Sequence, residues 1–188
     1  MSTSEPHDAP AALGVLVGRA QSGHAESLDA LLRALQGPLY RHVREIVRDD
    51  HVAEEVLQET LLTVARKLSW LRDPRWLRAW SYRIATRHAV RRAGAERRWQ
   101  QALREDALEP LTAPAEPPRF DAELVAAVPQ LLASLSPAAA AVVRLRYLEQ
   151  LSLAEIAEAL EIPDGTVRSR LAYGLAALRR ELSARGGA

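Results

Sequence analysis

Apolar residues recur at helical spacing along most of the chain, and no segment shows the period-two alternation of a half-buried strand. Alanine, leucine, arginine and glutamate are abundant, and all four are good helix formers. The pattern predicts helices over residues 11–21, 25–35, 38–48 and 51–68. It also predicts a long helix from Asp73-Pro74, an N-cap and a favoured first-turn proline, to about residue 98. Trp76, Trp80, Ile84 and Val90 are predicted to lie on or near the inner stripe of that helix.

The stretch from residue 105 to residue 120 has a different composition, with four prolines among acidic and small residues. Proline removes a helical hydrogen bond and restricts the residue before it, so this stretch is predicted to be an extended linker. The predicted fold class is therefore all-α, with two small helical domains joined by a flexible linker. The expected organisation is a disordered tail over 1–10, a first domain over 11–102, a linker over 103–120 and a second domain over 121–185.

A helix-turn-helix is predicted at Ser152–Ala172. Ser152, with Glu155 three residues later, forms a capping box that begins a short helix. Residues 161–165 form the turn, and Asp164 is positioned to cap the next helix, predicted from Thr166 to about Ser183. One more helix is expected before this motif, starting at Ser136-Pro137.

The second helix of this motif has the pattern of a DNA-recognition helix. Val167, Leu171 and Leu175 are spaced four residues apart and give it one buried stripe. Polar and basic residues cluster in its first turns, which in such motifs enter the major groove. Arginine, serine and threonine can contact base edges or phosphates. The residues expected to contact duplex DNA are Thr166, Arg168, Ser169, Arg170 and Tyr173.

Charge is strongly segregated along the chain, although the net charge is only +1. Residues 66–104 carry twelve basic residues against two acidic ones, a net of +10, with tryptophans interleaved. Residues 45–59 and residues 105–123 each carry six acids against one arginine, a net of −5. Blocks of opposite sign indicate separate surfaces for separate partners, and the basic block favours nucleic acid.

The sequence argues against several other classes of protein. The absence of cysteine excludes disulfides, zinc fingers and thiol catalysis. The five histidines are scattered, and we find neither a glycine-rich phosphate loop nor a nucleophile–base set. We therefore expect no catalytic residues, no metal site and no cofactor, and a protein that is not an enzyme. The N-terminus lacks a secretory signal and no apolar run of ~18 residues could span a membrane, which predicts a cytoplasmic location.

Two blocks of the sequence resemble the sigma-70 family, and specifically its extracytoplasmic-function (ECF) sigma factors. Residues 145–182, which include the helix-turn-helix, resemble sigma region 4. The segment AEEVLQETLL at Ala53–Leu62 resembles the region 2 helix that docks on the polymerase clamp, and WSYRIATRHAVRR at Trp80–Arg92 resembles the promoter-melting helix. The resemblance implies an alternative sigma factor that binds core RNA polymerase at its clamp and flap, recognises the −35 and −10 promoter elements and directs transcription initiation. It also implies an anti-sigma factor as a partner.

The resemblance implies that the recognition helix binds the −35 element. It also implies two further contact surfaces. The melting helix and the loop at residues 69–76 are expected to hold the separated strand of the −10 element through Arg72, Arg75, Trp76, Arg83, Arg87, His88, Arg91 and Arg92. Docking on core polymerase is expected from Asp50, Glu54, Glu55, Leu57, Gln58 and Glu59.

The chain departs from the family pattern in both blocks. Leu61 and Ala65 stand where the docking helix usually has aromatic residues, and Trp70 is a candidate to compensate for them. Tyr173 and Leu175 stand where the recognition helix usually has basic residues, which predicts weaker −35 binding. The main alternative interpretation is a helix-turn-helix transcription regulator without sigma activity, although no sensing or dimerisation domain is recognisable. A helical adaptor without DNA contact is disfavoured by the segregation of charge.

Overall fold

The structure, a computed structural model, describes residues 9–94, 132 and 135–186. The predicted linker, residues 1–8 of the predicted tail and the beginning of the predicted second domain lie outside the described residues. Every described element is helical, which confirms the all-α prediction. The chain divides into two compact units, Met1–Ala89 and Val90–Ala188, called here the N-terminal and C-terminal units.

The N-terminal unit contains four helices and two short 3-10 turns. The helices are α1 (Ala9–Gln21), α2 (Ala25–Val47), α3 (Asp50–Lys67) and α4 (Leu77–Arg92, of which the last three residues pass beyond the unit), and the 3-10 turns are Leu68–Trp70 and Pro74–Trp76. Helix α2 packs against both α1 and α3. The core is apolar and includes Val17, Leu31, Leu39, Val56, Val64, Leu77 and Tyr82.

Helix α2 runs through Pro38 without a break, so the prediction of separate helices over 25–35 and 38–48 is wrong. Proline normally interrupts a helix because it lacks the N–H and its ring clashes with the preceding turn. Here the buried stripe continues across it, with Leu35 and Leu39 four residues apart and both in the core. Tertiary packing of one continuous apolar face therefore outweighs the local cost of the proline.

Helix α4 differs from its prediction at its end and in its orientation. It ends at Arg92, short of the predicted residue 98, and Gly94 follows in the left-handed region at φ 56°. A glycine in this conformation is the usual stop signal after a helix. Trp80 and Ile84 are only half-buried, whereas the buried stripe of α4 within the unit runs through Leu77, Tyr82, Ala85 and Ala89. Val90, further along, is buried as predicted.

The C-terminal unit contains three described helices, α5 (Pro137–Tyr147), α6 (Leu153–Leu160) and α7 (Asp164–Gly186). The predicted caps are present at the first two: Ser136 Oγ accepts from Ala139 N, and Ser152 with Glu155 forms the capping box. Helix α7 begins at Asp164, two residues earlier than predicted. Its predicted stripe of Val167, Leu171 and Leu175 is fully buried, as are Leu145 and Ile156 on its neighbours.

Helices α5 and α7 approach each other closely at Gly174. A Cβ atom added there would lie 2.7 Å from Cγ2 of Val143, well inside van der Waals contact. Val143 is fully buried and β-branched, so it has little freedom to move away. Glycine is therefore the residue that lets these two helices cross at this distance.

Candidate nucleic-acid and polymerase interfaces

The turn between α6 and α7 fixes where the recognition helix starts. Glu161 ends α6 in the left-handed region at φ 56°, and Ile162 N donates to Ala157 O at 3.1 Å. The carbonyl of Pro163 then accepts from Thr166 N and Val167 N at 2.9 and 3.1 Å. These main-chain bonds satisfy the groups that a helix terminus leaves open, so the first turns of α7 are presented in a defined orientation.

The recognition helix leaves a short polar surface beside its buried stripe. Four of its five predicted contact residues are partly exposed, namely Thr166, Arg168, Ser169 and Tyr173. Arg168 Nε donates to Asp164 Oδ2 at 2.7 Å, and Ser169 Oγ donates to Thr166 O at 3.1 Å. Asp164, predicted as the N-cap, is thus the first helical residue and holds Arg168 one turn away.

Arg170, the fifth predicted contact, has a relative exposure of 0%. The prediction that it faces outward is wrong: at helical spacing it falls one residue before the buried Leu171, and its guanidinium is enclosed in the C-terminal unit. Leu175 is also buried. The position where the family usually has a basic residue therefore lies on the inner face of α7. The candidate DNA-binding surface therefore contains fewer basic residues than the sequence indicates.

The N-terminal unit places aromatic and basic side chains along one face of α4. Trp80, Arg83 and Arg87 lie within about 60° of each other at 3.6 residues per turn, and Trp76 precedes the helix in line with them. Trp76 is 38% exposed, which makes the prediction of an inner position for it wrong. Trp80 and Arg83 are half-buried and Arg87 is exposed. Exposed cations beside aromatic rings are the arrangement that holds unpaired bases.

The loop before α4 has a fixed local structure. Asp73 Oδ1 accepts from Arg75 N at 3.0 Å, so the predicted cap is present, but it begins the second 3-10 turn and not α4, which starts at Leu77. The side chain of Arg75 also donates to Asp73, with Nη2 at 2.8 Å from Oδ2. These bonds lower the pKa of Asp73 and raise the pKa of Arg75. Arg72 and Arg75 remain exposed, so the loop presents two cations to solvent.

Trp70 is the most exposed aromatic side chain among the described residues, at 72%. It stands at the end of the first 3-10 turn, and Lys67 Nζ lies 5.5 Å from the ring centroid. The suggestion that Trp70 compensates for packing in the docking helix is therefore wrong. A tryptophan this exposed, beside a lysine and a basic loop, belongs with the candidate strand-binding residues, and the interleaving of tryptophan with basic residues was its signal in the sequence.

His88 faces the helices, not the solvent. Its Nδ1 lies 3.4 Å from Thr60 Oγ1 of α3, and the side chain is half-buried. A second histidine, His42 of α2, is buried and lies 2.8 Å from Thr86 Oγ1 through its Nε2. Since the Thr86 hydroxyl donates to Tyr82 O at 2.8 Å, His42 must donate to Thr86. Both contacts join α4 to its neighbours, so His88 acts here through packing.

Beyond the N-terminal unit, Arg91 and Arg92 are exposed at the end of α4.

Helix α3 presents an acidic face with one apolar residue on it. Glu54, Gln58 and Glu59 are exposed, Glu55 is half-buried and Leu62 is 56% exposed. Asp50 is exposed but already bound: it accepts from Arg44 Nε at 2.7 Å and from the Tyr40 hydroxyl at 3.1 Å. These two bonds lower the pKa of Asp50. Asp50 thus links α3 to α2 in this unit.

A groove of about 510 Å³ lies between α2 and α3. Leu57, predicted to dock on polymerase, is buried and contributes to the wall of this groove. The other lining residues are Arg33, Gln36, Gly37, Tyr40, Glu54, Gln58 and Leu61. The α2 residues were missed in the sequence because their exposure depends on how α2 packs, which periodicity alone does not give. The groove brings apolar, acidic and basic groups together beside the acidic face.

Within the described residues, no cluster of three or more histidine, aspartate or glutamate side chains is placed to bind a metal ion. None of the described helices combines the length and apolar character needed to cross a membrane.

The sequence matches two family models, sigma-70 region 2 over residues 31–99 and sigma-70 region 4 over residues 131–180. The ECF RNA polymerase sigma factor SigE of Mycolicibacterium smegmatis is 34% identical over 187 residues, covering 95% of this chain and 70% of SigE. SigL of Mycobacterium tuberculosis is 34% identical over 173 residues, covering 88% of this chain and 96% of SigL. SigW of Bacillus subtilis is 25% identical over 182 residues, covering 88% of this chain and 94% of SigW.

The fold also matches a solved structure, that of CnrH in complex with the cytosolic domain of CnrY. The TM-score is 0.64 at 22% sequence identity, covering 92% of this chain and 98% of that one. SigE, SigL and SigW are RNA polymerase sigma factors by name, and nothing in these similarities favours the alternative of a regulator without sigma activity. The chain belongs to the extracytoplasmic-function sigma factors of the sigma-70 family and is a non-enzymatic alternative sigma factor that directs transcription initiation.

Proposed function

We propose that this sigma factor contacts its partners through three surfaces. The first turns of α7 read the duplex −35 element. The loop at residues 69–76 and the outer face of α4 hold the separated strand of the −10 element. The acidic face of α3, with the adjoining groove, docks on the clamp of core RNA polymerase, and the C-terminal unit engages the flap.

The observation that carries the proposal is the exposure of Trp76, at the end of the 3-10 turn before α4, together with the exposure of Arg87 on α4. Stacking of an unpaired base on an aromatic ring contributes about 1–3 kcal/mol, and nearby cations follow the phosphate backbone. Trp70 adds a second exposed ring at the other end of the loop. A solvated helix face has no need of exposed tryptophans, which are costly in water.

The docking proposal rests on the composition of the α3 face. Glu54 and Glu59 offer exposed carboxylates, and Leu62 offers an exposed apolar contact between them and the end of the helix. A face of this kind is complementary to a basic surface with an apolar centre. The groove next to it supplies the concave shape into which such a partner can insert a side chain.

We extend the proposal to regulation and location. Members of this family are commonly held inactive by an anti-sigma factor, and the solved neighbour CnrH is bound to the cytosolic domain of a second protein. We propose a corresponding anti-sigma partner here, with the cytoplasm, where bacterial polymerase transcribes, as the place of action.

The test is transcription in vitro with the full-length chain, core polymerase and a promoter library randomised at both elements. The wild-type holoenzyme is expected to yield transcripts from a defined −35 and −10 combination. Trp76→Ala and Arg87→Ala are expected to weaken selection at −10 alone. Arg168→Ala is expected to cost about 1–3 kcal/mol at one −35 position if it reads a base, or to weaken binding evenly if it contacts phosphate.

Docking is tested separately, by the affinity of the chain for core polymerase. The change Glu54→Lys is expected to weaken that affinity by about tenfold, since it places a cation where a basic partner docks. Glu26→Lys, at an exposed position on α2, is the matched control and is expected to have little effect. Equal losses from both reversals would show that net charge, and not this face, determines binding.

A further inference from the structure

Gln21, the last residue of α1, lies against the loop that precedes α4. Its side-chain Nε2 donates to Leu68 O at 2.9 Å and to Leu71 O at 2.8 Å. Both bonds join residues about fifty positions apart in sequence. The family model for region 2 begins its match at residue 31, so Gln21 lies outside that match.

The two bonds use the full donor capacity of the amide. A primary amide nitrogen carries two hydrogens, and each goes to a different carbonyl of the loop. Leu68 O also accepts from Leu71 N at 3.0 Å, which closes the first 3-10 turn. Gln21 therefore binds the carbonyls at both ends of that turn, which in irregular backbone are otherwise left to water or to another side chain.

The rest of the loop is held from the same side. Leu68 and Leu71 are buried and anchor the first turn to the core. A Cβ placed at Gly14 of α1 would be 3.9 Å from Cβ of Pro74, so α1 also runs close to the second turn. The Asp73 cap completes that turn. The opposite side of the loop is exposed and carries Ser69, Trp70, Arg72 and Arg75.

We propose that Gln21 is a positioning residue for recognition of the −10 element. It holds the loop in one conformation. Trp70 and Trp76 can then bind an unpaired base in a fixed arrangement, because the loop backbone is already ordered. Pre-organisation of this kind lowers the entropic cost of binding and sharpens discrimination between bases. The inference rests on the proposed role of the loop in strand binding, and Gln21 itself does not touch DNA.

The first part of the test measures the loop itself, by hydrogen exchange of the full-length chain. Gln21→Met keeps the length of the side chain and removes both N–H donors. It is expected to speed exchange of the amides of residues 69–72 by about tenfold, the equivalent of one to two hydrogen bonds. Ser22→Ala is the matched control, because Ser22 Oγ donates to Gly18 O within α1 and does not reach the loop.

The second part measures base preference with the holoenzyme on the library randomised at −10. Gln21→Met is expected to reduce the preference for the best base at one −10 position by about tenfold, while −35 preference and affinity for core stay at wild-type values. Gln21→Glu is expected to have a larger effect in the same direction, since it sets a carboxylate against two carbonyl oxygens.

Three outcomes would overturn the proposal, and Trp76→Ala distinguishes them. If exchange rises but base preference is unchanged, Gln21 holds the loop without positioning it for DNA. If Trp76→Ala alters −10 preference and Gln21→Met alters neither quantity, the inference fails and the proposed strand-binding surface stands. If neither variant alters −10 preference, the loop does not read the element and the proposed surface fails together with the inference.

Discussion

The two units of the protein differ in whether they bury arginine side chains. In the N-terminal unit, Arg72, Arg75 and Arg87 lie on the surface around the loop and α4. In the C-terminal unit, Arg144 and Arg170 are buried, together with Glu149. Arg179 and Arg180 near the end of α7 are exposed, so only some arginines of this unit are enclosed. A count of basic residues therefore overstates the accessible positive charge of the C-terminal unit, whereas none of the described arginines of the N-terminal unit is buried.

The units also differ in how their helices are joined. In the N-terminal unit, polar side chains link neighbouring helices, as in the His42–Thr86 and Arg44–Asp50 contacts. In the C-terminal unit, a close crossing at Gly174 brings two helices together through apolar atoms. The N-terminal unit also has a groove between α2 and α3. In the C-terminal unit, the close apolar crossing gives α7 a tightly packed support.

The largest expected effect comes from removing the buried cation of the recognition helix. Arg170→Ala is expected to destabilise the C-terminal unit by about 3 kcal/mol, because truncating a fully buried long side chain leaves a cavity. Arg87→Ala, the same change at an exposed position, is expected to alter stability by less than about 0.5 kcal/mol. Urea unfolding followed by circular dichroism measures both. Equal losses of stability would show that the buried arginine of the C-terminal unit contributes no more to folding than an exposed arginine of the N-terminal unit.

The next effect concerns the close crossing of α5 and α7. Gly174→Ala is expected to cost about 2 kcal/mol, because the new methyl group meets Val143 Cγ2 at 2.7 Å. Gly165→Ala in the same helix meets nothing within 4 Å and serves as the control. Combining Gly174→Ala with Val143→Ala is expected to recover part of the lost stability, since Val143→Ala removes the Cγ2 atom with which the new methyl group clashes. Simple additivity of the two changes in unfolding free energy would argue against a steric cause.

A smaller effect is expected from the polar link between α2 and α4. Thr86→Val removes the acceptor of the buried His42 N–H and is expected to cost about 1.5 kcal/mol in unfolding free energy. Thr63→Val is the matched control: Thr63 Oγ1 makes the same type of bond to its own helix, to Glu59 O at 2.8 Å, at an exposed position. The control is expected to stay within about 0.5 kcal/mol of wild type. A Thr86→Val protein as stable as the control would show that polar links do not hold this unit together.

Several helix caps and one buried stripe were predicted correctly from local signals in the sequence. The caps at Ser136, Ser152 and Asp73 and the buried stripe of α7 follow from neighbouring residues, so they could be identified without knowing the fold. These features also gave the positions of most candidate DNA-facing residues, whose contacts with DNA stay predictions.

Features that depend on packing between helices were not predicted. Periodicity indicates that α4 has a buried stripe but does not decide which of several apolar positions occupies it, so Trp76 was placed inside. Arg170 was placed outside because charge favours exposure, although the neighbouring helices enclose it. Gln21 carried no signal, since its two acceptors are main-chain carbonyls about fifty residues away.

The smallest expected effect is the pH dependence contributed by Asp50, which tests the polar link between α2 and α3. Arg44 and Tyr40 lower the pKa of Asp50 in the folded chain, below the ~3.9 expected when unfolded. The stabilisation is therefore fully present above the unfolded pKa and is lost as the pH falls through the folded pKa. Asp50→Asn lacks this stabilisation, so the difference in unfolding midpoint between the two proteins should shrink as the pH falls from about 5 through the folded pKa of Asp50. High salt should reduce it as well, because the pair is exposed. In an Arg44→Gln background the change at Asp50 should have much less effect, and an unchanged effect there would mean that Arg44 is not the group that stabilises the carboxylate.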